Sequence, residues 1–500
     1  MPYDNDLFRM LKDASLFRQQ AYVNGTWRDA DSGATESVEN PADGSRIGTV
    51  PNMGVAETRR AIAAASAAFG SWRGLTATER ARALRRWNDL ILANRDDLAL
   101  IMTLEQGKSL AESCGEIEYA ASFVEWFAEE AKRAYGEVIP SHLAGRRLIA
   151  TREPIGVAAA ITPWNFPSAM ITRKAAAAMA AGCPMIVRPS PETPFSALAL
   201  AELAGRAGLP KGIFQVVTGD AVAISNALME SAEVRAVSFT GSTEVGRILL
   251  AGGAATVKKM SMELGGHAPF IVFDDVDLPT ASADAIGAKF VTTGQDCLAA
   301  NRIFVHDGIY DAFAADFAAR AAALKVGAGL EPDVDLGPLI DARAIAKLER
   351  QVADAMSKGA RLLTGGKRHA RGGLFFEPTV LADATPEMEI FHEETFGPVA
   401  ALFRFRDEDA VVRQANDSIY GLAAYVYSAD LARAWRVGEQ LDYGMVAFNG
   451  VKMTGPPVPF GGLKQSGLGR EGSRHGLDEY TAIKYFCVNG IDRPALKRAG

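Results

Sequence analysis

Apolar residues recur at helical spacing early in the chain and give way to short apolar runs later. Between residues 55 and 130, segments such as VAETRRAIAAASAAFGSW place apolar residues three and four positions apart, which predicts several helices. From about residue 148, short runs such as GVAAAIT (156–162) and PMIVRP (184–189) alternate with helical patterns. Such runs are typical of strands buried on both faces, so this region predicts alternating strands and helices.

The alternation occurs in two cycles. In the first, FQVVTG (214–219) and VRAVSFTG (234–241) are short apolar runs that end in glycine before a helical pattern. In the second, PFIVFDD (269–275) leads into a helix near residues 280–292, and RIFVHDG (302–308) precedes a further helix. Repetition of this kind predicts parallel sheets covered by helices, so the expected fold class is α/β with two such domains.

Composition and charge exclude several classes of partner. The chain has 500 residues, of which 23% are charged and 48% hydrophobic, and this is ordinary for a globular protein. A net charge of -7 argues against binding to nucleic acid or to an anionic membrane surface. We see no signal peptide and no apolar run long enough to cross a bilayer, so we expect no membrane association and a cytoplasmic location.

The cysteines and histidines are few and scattered. The absence of a CxxC pair excludes a disulfide framework and indicates a reducing compartment; the four cysteines are Cys114, Cys183, Cys297 and Cys487. The six histidines show no zinc-binding spacing, so we expect no metal site. Because free cysteine is among the most buried residue types, a structural role is the first interpretation of each cysteine.

Two glycine-containing motifs are candidate phosphate-binding loops. GLGREG (467–472) matches GxGxxG but follows KQS rather than a buried strand, so we discard it. In SFTGSTEVG (238–246) a strand pattern ends at Gly241 and a helix pattern starts at Ser242, so the helix N-terminus would face an anion. The alternative is an ordinary strand-to-helix turn that Ser242 caps.

Four further motifs occur in a specific order. They are TPWNFP (162–167), MELGG (262–266), GQDC (294–297) and EETFGPV (393–399). In order and spacing the chain resembles the NAD(P)-dependent aldehyde dehydrogenase superfamily, from about residue 20 to residue 488. The resemblance implies two Rossmann-like α/β domains plus a β-arm oligomerisation element. It also implies an enzyme that oxidises a small-molecule aldehyde.

The resemblance assigns the chemistry to three side chains. Cys297 would be the nucleophile that forms a thiohemiacetal, and its thiolate is the competent form. Asn165 would form the oxyanion hole with the Cys297 backbone N–H. Glu263 would be the general base that activates water for hydrolysis of the thioester. Taken singly, these residues could be a buried cysteine, a turn-capping asparagine and a surface glutamate.

The resemblance also implies an NAD(P) site. Trp164, Gly241 and Ser242 would lie near the pyrophosphate, Glu394 and Phe396 near the nicotinamide half. The full set of expected cofactor-binding residues is Thr162, Trp164, Arg188, Ser190, Gly219, Gly241, Ser242, Leu264, Glu394 and Phe396. The chain has Pro191 where NAD-selective members often have a glutamate that repels a 2′-phosphate, so we favour NADP over NAD.

Among subfamilies the chain looks most like succinate-semialdehyde dehydrogenases, through AMITRKAAAAMAAGC and KQSGLGREGSRHGLDEYTAIKYFC. Arg173 would clamp the distal anion of the substrate, the alternative being a solvated helix arginine. Val291 stands where that group has a second arginine, and Ala299 where some members have a redox-switching cysteine. We therefore expect no disulfide switch. The expected substrate-binding residues are Phe166, Arg173, Thr454, Gly455 and Phe460.

Succinate semialdehyde is therefore the first candidate substrate. Because the loop before PFGG lacks the usual serine, glutarate semialdehyde, sulfolactaldehyde and a broad aldehyde specificity stay open. Glu263 argues against a CoA-acylating enzyme, and the intact catalytic residues argue against a non-catalytic binding protein with this fold.

The resemblance also implies how the chain divides into domains. Residues 1–128 and 152–262 would bind the cofactor, and residues 263–470 would form the catalytic domain. Residues 129–151 and 471–500 would form the oligomerisation arm of a homodimer or homotetramer. The run DEYTAIKYFCVNG (478–490) within that arm reads as an extended segment that pairs with another element or subunit.

Overall fold

The computed structural model describes residues 10–491 of the chain. Residues 1–9, assigned above to the cofactor-binding part, and residues 492–500, assigned to the arm, lie outside the described residues. The strands are β1 Ala21–Val23, β2 Thr26–Arg28, β3 Thr35–Glu39, β4 Arg46–Pro51, β5 Glu137–Ile139, β6 Arg146–Pro154, β7 Val157–Ile161, β8 Met185–Arg188, β9 Phe214–Val216, β10 Val234–Thr240, β11 Lys259–Glu263, β12 Ala268–Val272, β13 Ala300–His306, β14 Arg361–Thr364, β15 Thr379–Ala382, β16 Val399–Phe405, β17 Ala423–Tyr427, β18 Met445–Phe448, β19 Gly467–Leu468 and β20 Thr481–Asn489.

The helices follow the predicted alternation with the strands. Those of residues 55–130, the region of helical spacing, are α1 Val55–Arg73, α2 Ala77–Ala93, α3 Arg95–Gln106 and α4 Leu110–Glu130. The later ones are α5 Ala169–Ala181, α6 Pro194–Arg206, α7 Ala221–Glu230, α8 Thr243–Ala254, α9 Leu278–Phe290, α10 Tyr310–Ala322, α11 Ala342–Ser357, α12 Glu389–His392, α13 Glu408–Asn416 and α14 Leu431–Gln440.

The first sheet has the strand order β19-β11-β10-β7-β8-β9-β1-β2. Its five central strands, from β11 to β9, are parallel, and the antiparallel strands lie at its edges. In β7, Val157 and Ala159 pack into a core that includes residues of α1, whereas Ala158 and Ala160 pack into a core that includes residues of α5. The strand is thus covered on both faces, as its unbroken apolar sequence predicts.

The second sheet has the order β14-β15-β16-β13-β12-β17-β18. All its pairs are parallel except β14 with β15. It is also covered on both faces, because Phe270 of β12 packs into one core and Ile271 into another. Two α/β units are therefore present, which confirms the predicted fold class.

One predicted helix ends earlier than the pattern indicates. We expected a helix near residues 280–292, but α9 ends at Phe290. Thr292 and Thr293 have φ values of 50° and 57°, in the left-handed region, and Gly294 follows with 70°. Left-handed backbone cannot continue a right-handed helix, so the chain turns here towards Cys297.

The C-terminal extended segment pairs with another element, as predicted. Strand β20 pairs with β6 in antiparallel register from Thr481 opposite Pro154 to Asn489 opposite Arg146, and β5 pairs with the other edge of β6. β6 continues to Pro154, three residues past the end of the arm expected at residue 151. The two halves of the arm, distant in sequence, thus form one small sheet.

In residues 10–491, we find no helix that is both long enough and apolar enough to cross a membrane.

Candidate active site

A cavity of about 330 Å³ opens where the loops at the carboxyl ends of several strands meet. Ligand sites of open α/β sheets occupy this position, outside the carboxyl ends of parallel strands. The lining residues come from strand ends and following segments of the first sheet, from the segments that lead into β13 and β16 of the second sheet, and from α11 with the turn before it: Pro163, Trp164, Asn165, Met170, Thr240, Gly241, Ser242, Glu263, Leu264, Gly265, Cys297, Ile340, Asp341, Arg343, Ala344, Lys347, Glu394 and Phe396. All three predicted catalytic residues are therefore brought together.

Asn165 lies in the loop between β7 and α5. Its side chain is buried, and its Nδ2 donates a hydrogen bond of 3.0 Å to the carbonyl oxygen of Gln295, two residues before Cys297. The amide is therefore held beside the nucleophile loop, and the alternative of a simple turn cap does not describe this contact.

Cys297 is 9% exposed and lies against the backbone of Gly266. A Cβ atom on Gly266 would overlap the Cys297 carbonyl oxygen, so only glycine permits this approach. Burial raises the pKa of the Cys297 thiol well above its ordinary value, and the carboxyl groups of Glu263 and Asp296 act in the same direction. The thiol of this conformation is therefore protonated at neutral pH and needs a base to ionise it.

Glu263 is the last residue of β11, and its carboxyl group is buried. Neither carboxylate oxygen has a hydrogen-bond partner among residues 10–491. Burial raises the pKa of Glu263 to about 7, although Arg173 and Lys174 lower it. A carboxyl group that titrates near neutral pH is suited to taking a proton, so Glu263 meets the requirement for a general base.

Glu394 and Phe396, predicted near the nicotinamide, line the same cavity as Trp164, predicted near the pyrophosphate. The rings of Trp164 and Phe396 meet edge to face with centroids 5.5 Å apart. Glu394 accepts a hydrogen bond of 2.8 Å from the Gly266 N–H, and burial raises its pKa to about 7. Because Gly266 contacts both Cys297 and Glu394, the predicted nucleophile and a predicted cofactor ligand share one support.

The position of Ser242 shows the predicted helix cap and is compatible with the predicted phosphate site. Its hydroxyl caps α8 by accepting a hydrogen bond of 3.3 Å from Val245 N–H, and it also lines the cavity. The N-terminus of α8 therefore faces the cavity, where its N–H groups favour an anion such as a phosphate.

Four predicted cofactor-binding residues lie outside the cavity lining, at or just beyond the carboxyl ends of β7, β8 and β9. They are Thr162, Arg188, Ser190 and Gly219. Arg188 is buried, and its Nε has no hydrogen-bond partner among the described residues. Ser190 binds Glu192, and the carboxyl groups of Glu192 and Glu36 interact with the Arg188 charge. A buried guanidinium nitrogen without a partner is suited to a phosphate or ribose oxygen, so this edge fits a dinucleotide.

None of the five predicted substrate-binding residues lines the cavity. Arg173 is 1% exposed, so the alternative of a solvated helix arginine is wrong. Its Nε donates to Glu471 at 2.6 Å, and its guanidinium lies 4.1 Å from the ring centroid of Phe460. The Lys108 Nζ lies 4.2 Å from the ring centroid of Phe166. Thr454 and Gly455 lie in the loop after β18.

Comparison with known proteins identifies the family. The model of the aldehyde dehydrogenase family matches residues 27–486. The chain is 59% identical over 96% of its length to all of a glutarate-semialdehyde dehydrogenase of Pseudomonas aeruginosa. It is 57% identical over 97% of its length to 99% of a 3-sulfolactaldehyde dehydrogenase of Pseudomonas putida. The crystal structure of succinate-semialdehyde dehydrogenase from Burkholderia pseudomallei superimposes with a TM-score of 0.95, at 58% identity, over 96% of this chain and 99% of that one.

The chain belongs to the aldehyde dehydrogenase family. It is an oxidoreductase, and enzymes of this family use NAD(P). These findings confirm the family, the fold and the class of cofactor expected from the four motifs. They leave the roles of individual residues in this aldehyde dehydrogenase as predictions.

The structure also brings charged residues to the site that the motifs did not indicate. Arg343 and Lys347 of α11 line the cavity. Glu471, from the discarded GLGREG motif, binds both Arg173 and the neighbouring Lys174. These residues follow no local pattern in the sequence, because each reaches the site from a distant element.

Gly266→Ala should disturb the nucleophile loop of this dehydrogenase. The new Cβ would overlap the Cys297 carbonyl oxygen, so we expect a loss of about 1–3 kcal/mol in the free energy of unfolding, together with an altered rate of Cys297 alkylation by iodoacetamide. Urea denaturation and mass spectrometry measure the two effects. Gly115→Ala is the control, because a Cβ there meets open space. Equal stability and equal alkylation in both variants would contradict the assigned contact.

Proposed function

We propose that this aldehyde dehydrogenase oxidises an anionic short-chain semialdehyde to the corresponding acid, with succinate semialdehyde as the first candidate. The observation that supports the chemistry is the meeting of Cys297, Glu263 and Asn165 on one cavity with Glu394 and Phe396. A nucleophile, a base, an oxyanion donor and a hydride acceptor are what such an oxidation needs.

The reaction begins when Cys297 loses its proton to Glu263, which passes it to solvent, and the sulfur attacks the aldehyde carbon. The developing oxyanion accepts hydrogen bonds from Asn165 Nδ2 and from the Cys297 backbone N–H. NAD(P), which Glu394 and Phe396 would hold, would supply the hydride acceptor for the tetrahedral carbon, whose collapse would leave a thioester on Cys297. Glu263 then removes a proton from a water molecule as the water oxygen attacks the thioester carbon. The carbon–sulfur bond breaks, and the acid leaves Cys297 as a thiolate.

We propose that the cofactor spans from the Cys297 cavity to the carboxyl end of β8. Trp164, Gly241, Ser242, Leu264, Glu394 and Phe396 would contact it along the cavity, and Thr162, Arg188, Ser190 and Gly219 beyond. Arg188, whose Nε has no hydrogen-bond partner within residues 10–491, supports NADP as the preferred form, because Pro191 supplies no carboxylate to repel a 2′-phosphate.

The substrate class is supported by the relatives. Glutarate semialdehyde, succinate semialdehyde and sulfolactaldehyde are short aldehydes that each carry a second, anionic group. We propose Arg173 as the residue that attracts this group. Since Glu471 already binds its Nε, the substrate would compete for the remaining guanidinium N–H donors, and Phe166, Phe460, Thr454 and Gly455 would shape the surroundings.

We propose the domain division of the family for this chain. Residues 1–128 and 152–262 would bind the cofactor, residues 263–470 would carry the nucleophile, and residues 129–151 and 471–500 would form the arm. The free cysteines are compatible with a cytoplasmic location, which we also propose.

Cys297→Ala should abolish NAD(P)H formation from semialdehydes while leaving the dissociation constant of the cofactor unchanged, because the sulfur alone supplies the covalent step. Glu263→Gln removes the base for both steps, so it should form the thioester more slowly and give at most one equivalent of NAD(P)H before slow turnover. In the wild type the rate of thioester hydrolysis should rise with pH through about 7, because Glu263 accepts a proton only when ionised. Stopped-flow absorbance follows NAD(P)H formation in the two variants and in the wild type.

Steady turnover by Cys297→Ala would contradict the mechanism. A hydrolysis rate in the wild type that is constant between pH 5 and pH 8 would contradict the role of Glu263, because the rate would then not depend on the ionisation of its carboxyl group.

A substrate panel tests the anion site. We expect higher kcat/KM for succinate semialdehyde, glutarate semialdehyde and sulfolactaldehyde than for a neutral short aldehyde, each measured with NAD and NADP.

Arg173→Gln should reduce kcat/KM for the anionic aldehydes by about tenfold or more relative to the neutral one, because a charged hydrogen bond is lost. The ratio cancels any general loss of folded enzyme. An equal loss for both classes would remove Arg173 from substrate recognition.

We propose that the arm joins copies of the chain into a homodimer or homotetramer. The arm exposes apolar side chains that a lone subunit would leave in water; they are Tyr135, Val138, Ile483, Tyr485, Phe486 and Val488. Light scattering of the wild type should give a multiple of 53.2 kDa. Val138→Asp and Ile483→Asp should reduce the mass, whereas Leu431→Asp, at an exposed position away from the arm, should not. A monomeric wild type would contradict the proposal.

A further inference from the structure

Helix α4 presents two glutamates to the site from outside the cavity. Glu112 and Glu116 are four residues apart, which places them on the same face of the helix. Each carboxylate binds backbone N–H groups of a different active-site loop. Neither residue lines the cavity, and the reaction described above uses neither.

Glu112 binds the loop that leads to the nucleophile. Its Oε1 accepts a hydrogen bond of 2.7 Å from the Thr292 N–H, and its Oε2 accepts one of 3.2 Å from the Ser109 N–H at the start of α4. Thr292 and Thr293 both have positive φ, a conformation that β-branched residues adopt only under restraint. Glu112 therefore restrains strained backbone five residues before Cys297.

Glu116 binds the other loop, the one that carries Asn165. Its buried Oε1 accepts hydrogen bonds from Ser168 N–H at 2.9 Å and Ala169 N–H at 3.1 Å. Its Oε2 accepts a hydrogen bond of 2.7 Å from Lys108 Nζ, which also donates at 2.7 Å to the Asn165 carbonyl oxygen. Lys108 is 2% exposed, so this ion pair is shielded from water.

The contacts close a ring. Asn165 Nδ2 donates to the Gln295 carbonyl oxygen, so the two loops bound by α4 also bind each other beside Cys297. A shift of either loop would change the distance between the Asn165 amide and the oxyanion that forms on the carbon attached to the sulfur. Stabilisation of the oxyanion depends steeply on that distance.

We propose that Glu112 and the Lys108–Glu116 pair are positioning residues that together hold Cys297 and Asn165 in reactive geometry. This inference rests on the proposed roles of those two residues. Loss of Glu112 and loss of the Lys108–Glu116 pair should have different consequences. Glu112 positions the nucleophile loop, whereas Lys108 and Glu116 position the oxyanion donor.

Glu112→Ala should lower kcat by about tenfold or more, the effect of losing a charged hydrogen bond. It should also speed alkylation of Cys297 by iodoacetamide, because release of the loop exposes the buried thiol to water and lowers its pKa. Glu112→Gln keeps an acceptor oxygen for the Thr292 N–H and should restore both rates towards those of the wild type.

Lys108→Met should lower kcat without changing the rate of alkylation, because an oxyanion hole plays no part in displacement of iodide. If the unpaired Glu116 prevents folding, the double variant Lys108→Met with Glu116→Leu removes both charges and is measured instead. Glu118→Ala is the control, since Glu118 lies on the exposed side of α4 and pairs with Arg95. The dissociation constant of NADP, measured by fluorescence titration, should be unchanged in every variant.

The proposal is overturned if Glu112→Ala matches Glu118→Ala in both kcat and alkylation rate. It is also overturned if the variants lose cofactor binding, thermal stability and activity in parallel, which a general structural role predicts. Failure of the proposed function is distinct from either result. It would show as steady turnover by Cys297→Ala, in an enzyme whose loops are unaltered.

Discussion

The shortness of the connection between the two sheets determines the geometry of the site. Strand β11 of the first sheet ends at Glu263, and β12 of the second sheet begins at Ala268. In the second sheet Ala268 pairs with Ala300 of β13, so the residues that precede these two strands are neighbours. Cys297 therefore meets Gly266, and Glu263, the proposed base at the end of β11, shares a cavity with Cys297, the proposed nucleophile before β13. The two domains cannot separate at this point without breaking the site.

That placement removes the reacting groups from water, and burial then decides their protonation. Burial raises the pKa of both Glu263 and Glu394 to about 7 and raises that of Cys297 further above its ordinary value. The buried cation Arg173 opposes the shifts of Glu263 and Cys297, and Lys174 opposes that of Glu263. The same two cations hold the pKa of Glu471 down to about 2. Arg173 therefore favours ionisation of both Glu263 and Cys297, against the effect of their burial.

Much of this arrangement follows from local sequence. The runs GVAAAIT and PMIVRP predict strands that the structure places at 157–161 and 185–188, and the four motifs predict a cluster of Cys297, Glu263 and Asn165 that the fold brings together. The rest depends on contacts between distant residues. Glu112 binds a residue 180 positions away, and Arg173 binds one 298 positions away. No periodicity records such pairs, so the sequence does not predict that Glu471 binds Arg173.

The residues of the proposed reaction and the residues that would select the substrate are constrained to different degrees. The reacting groups are fixed by strand ends, by a glycine contact and by buried hydrogen bonds, all of which tolerate little change. Of the residues expected to contact the far end of the aldehyde, Arg173 and Phe460 are buried, whereas Thr454 and Gly455 lie in a loop. Val291, at the position of the missing second arginine, is 45% exposed. Because Arg173 is already paired with Glu471, we expect changes at these less constrained positions to alter how an anion is received. Relatives that share over half of their residues can therefore share the chemistry and still differ in the aldehyde they oxidise.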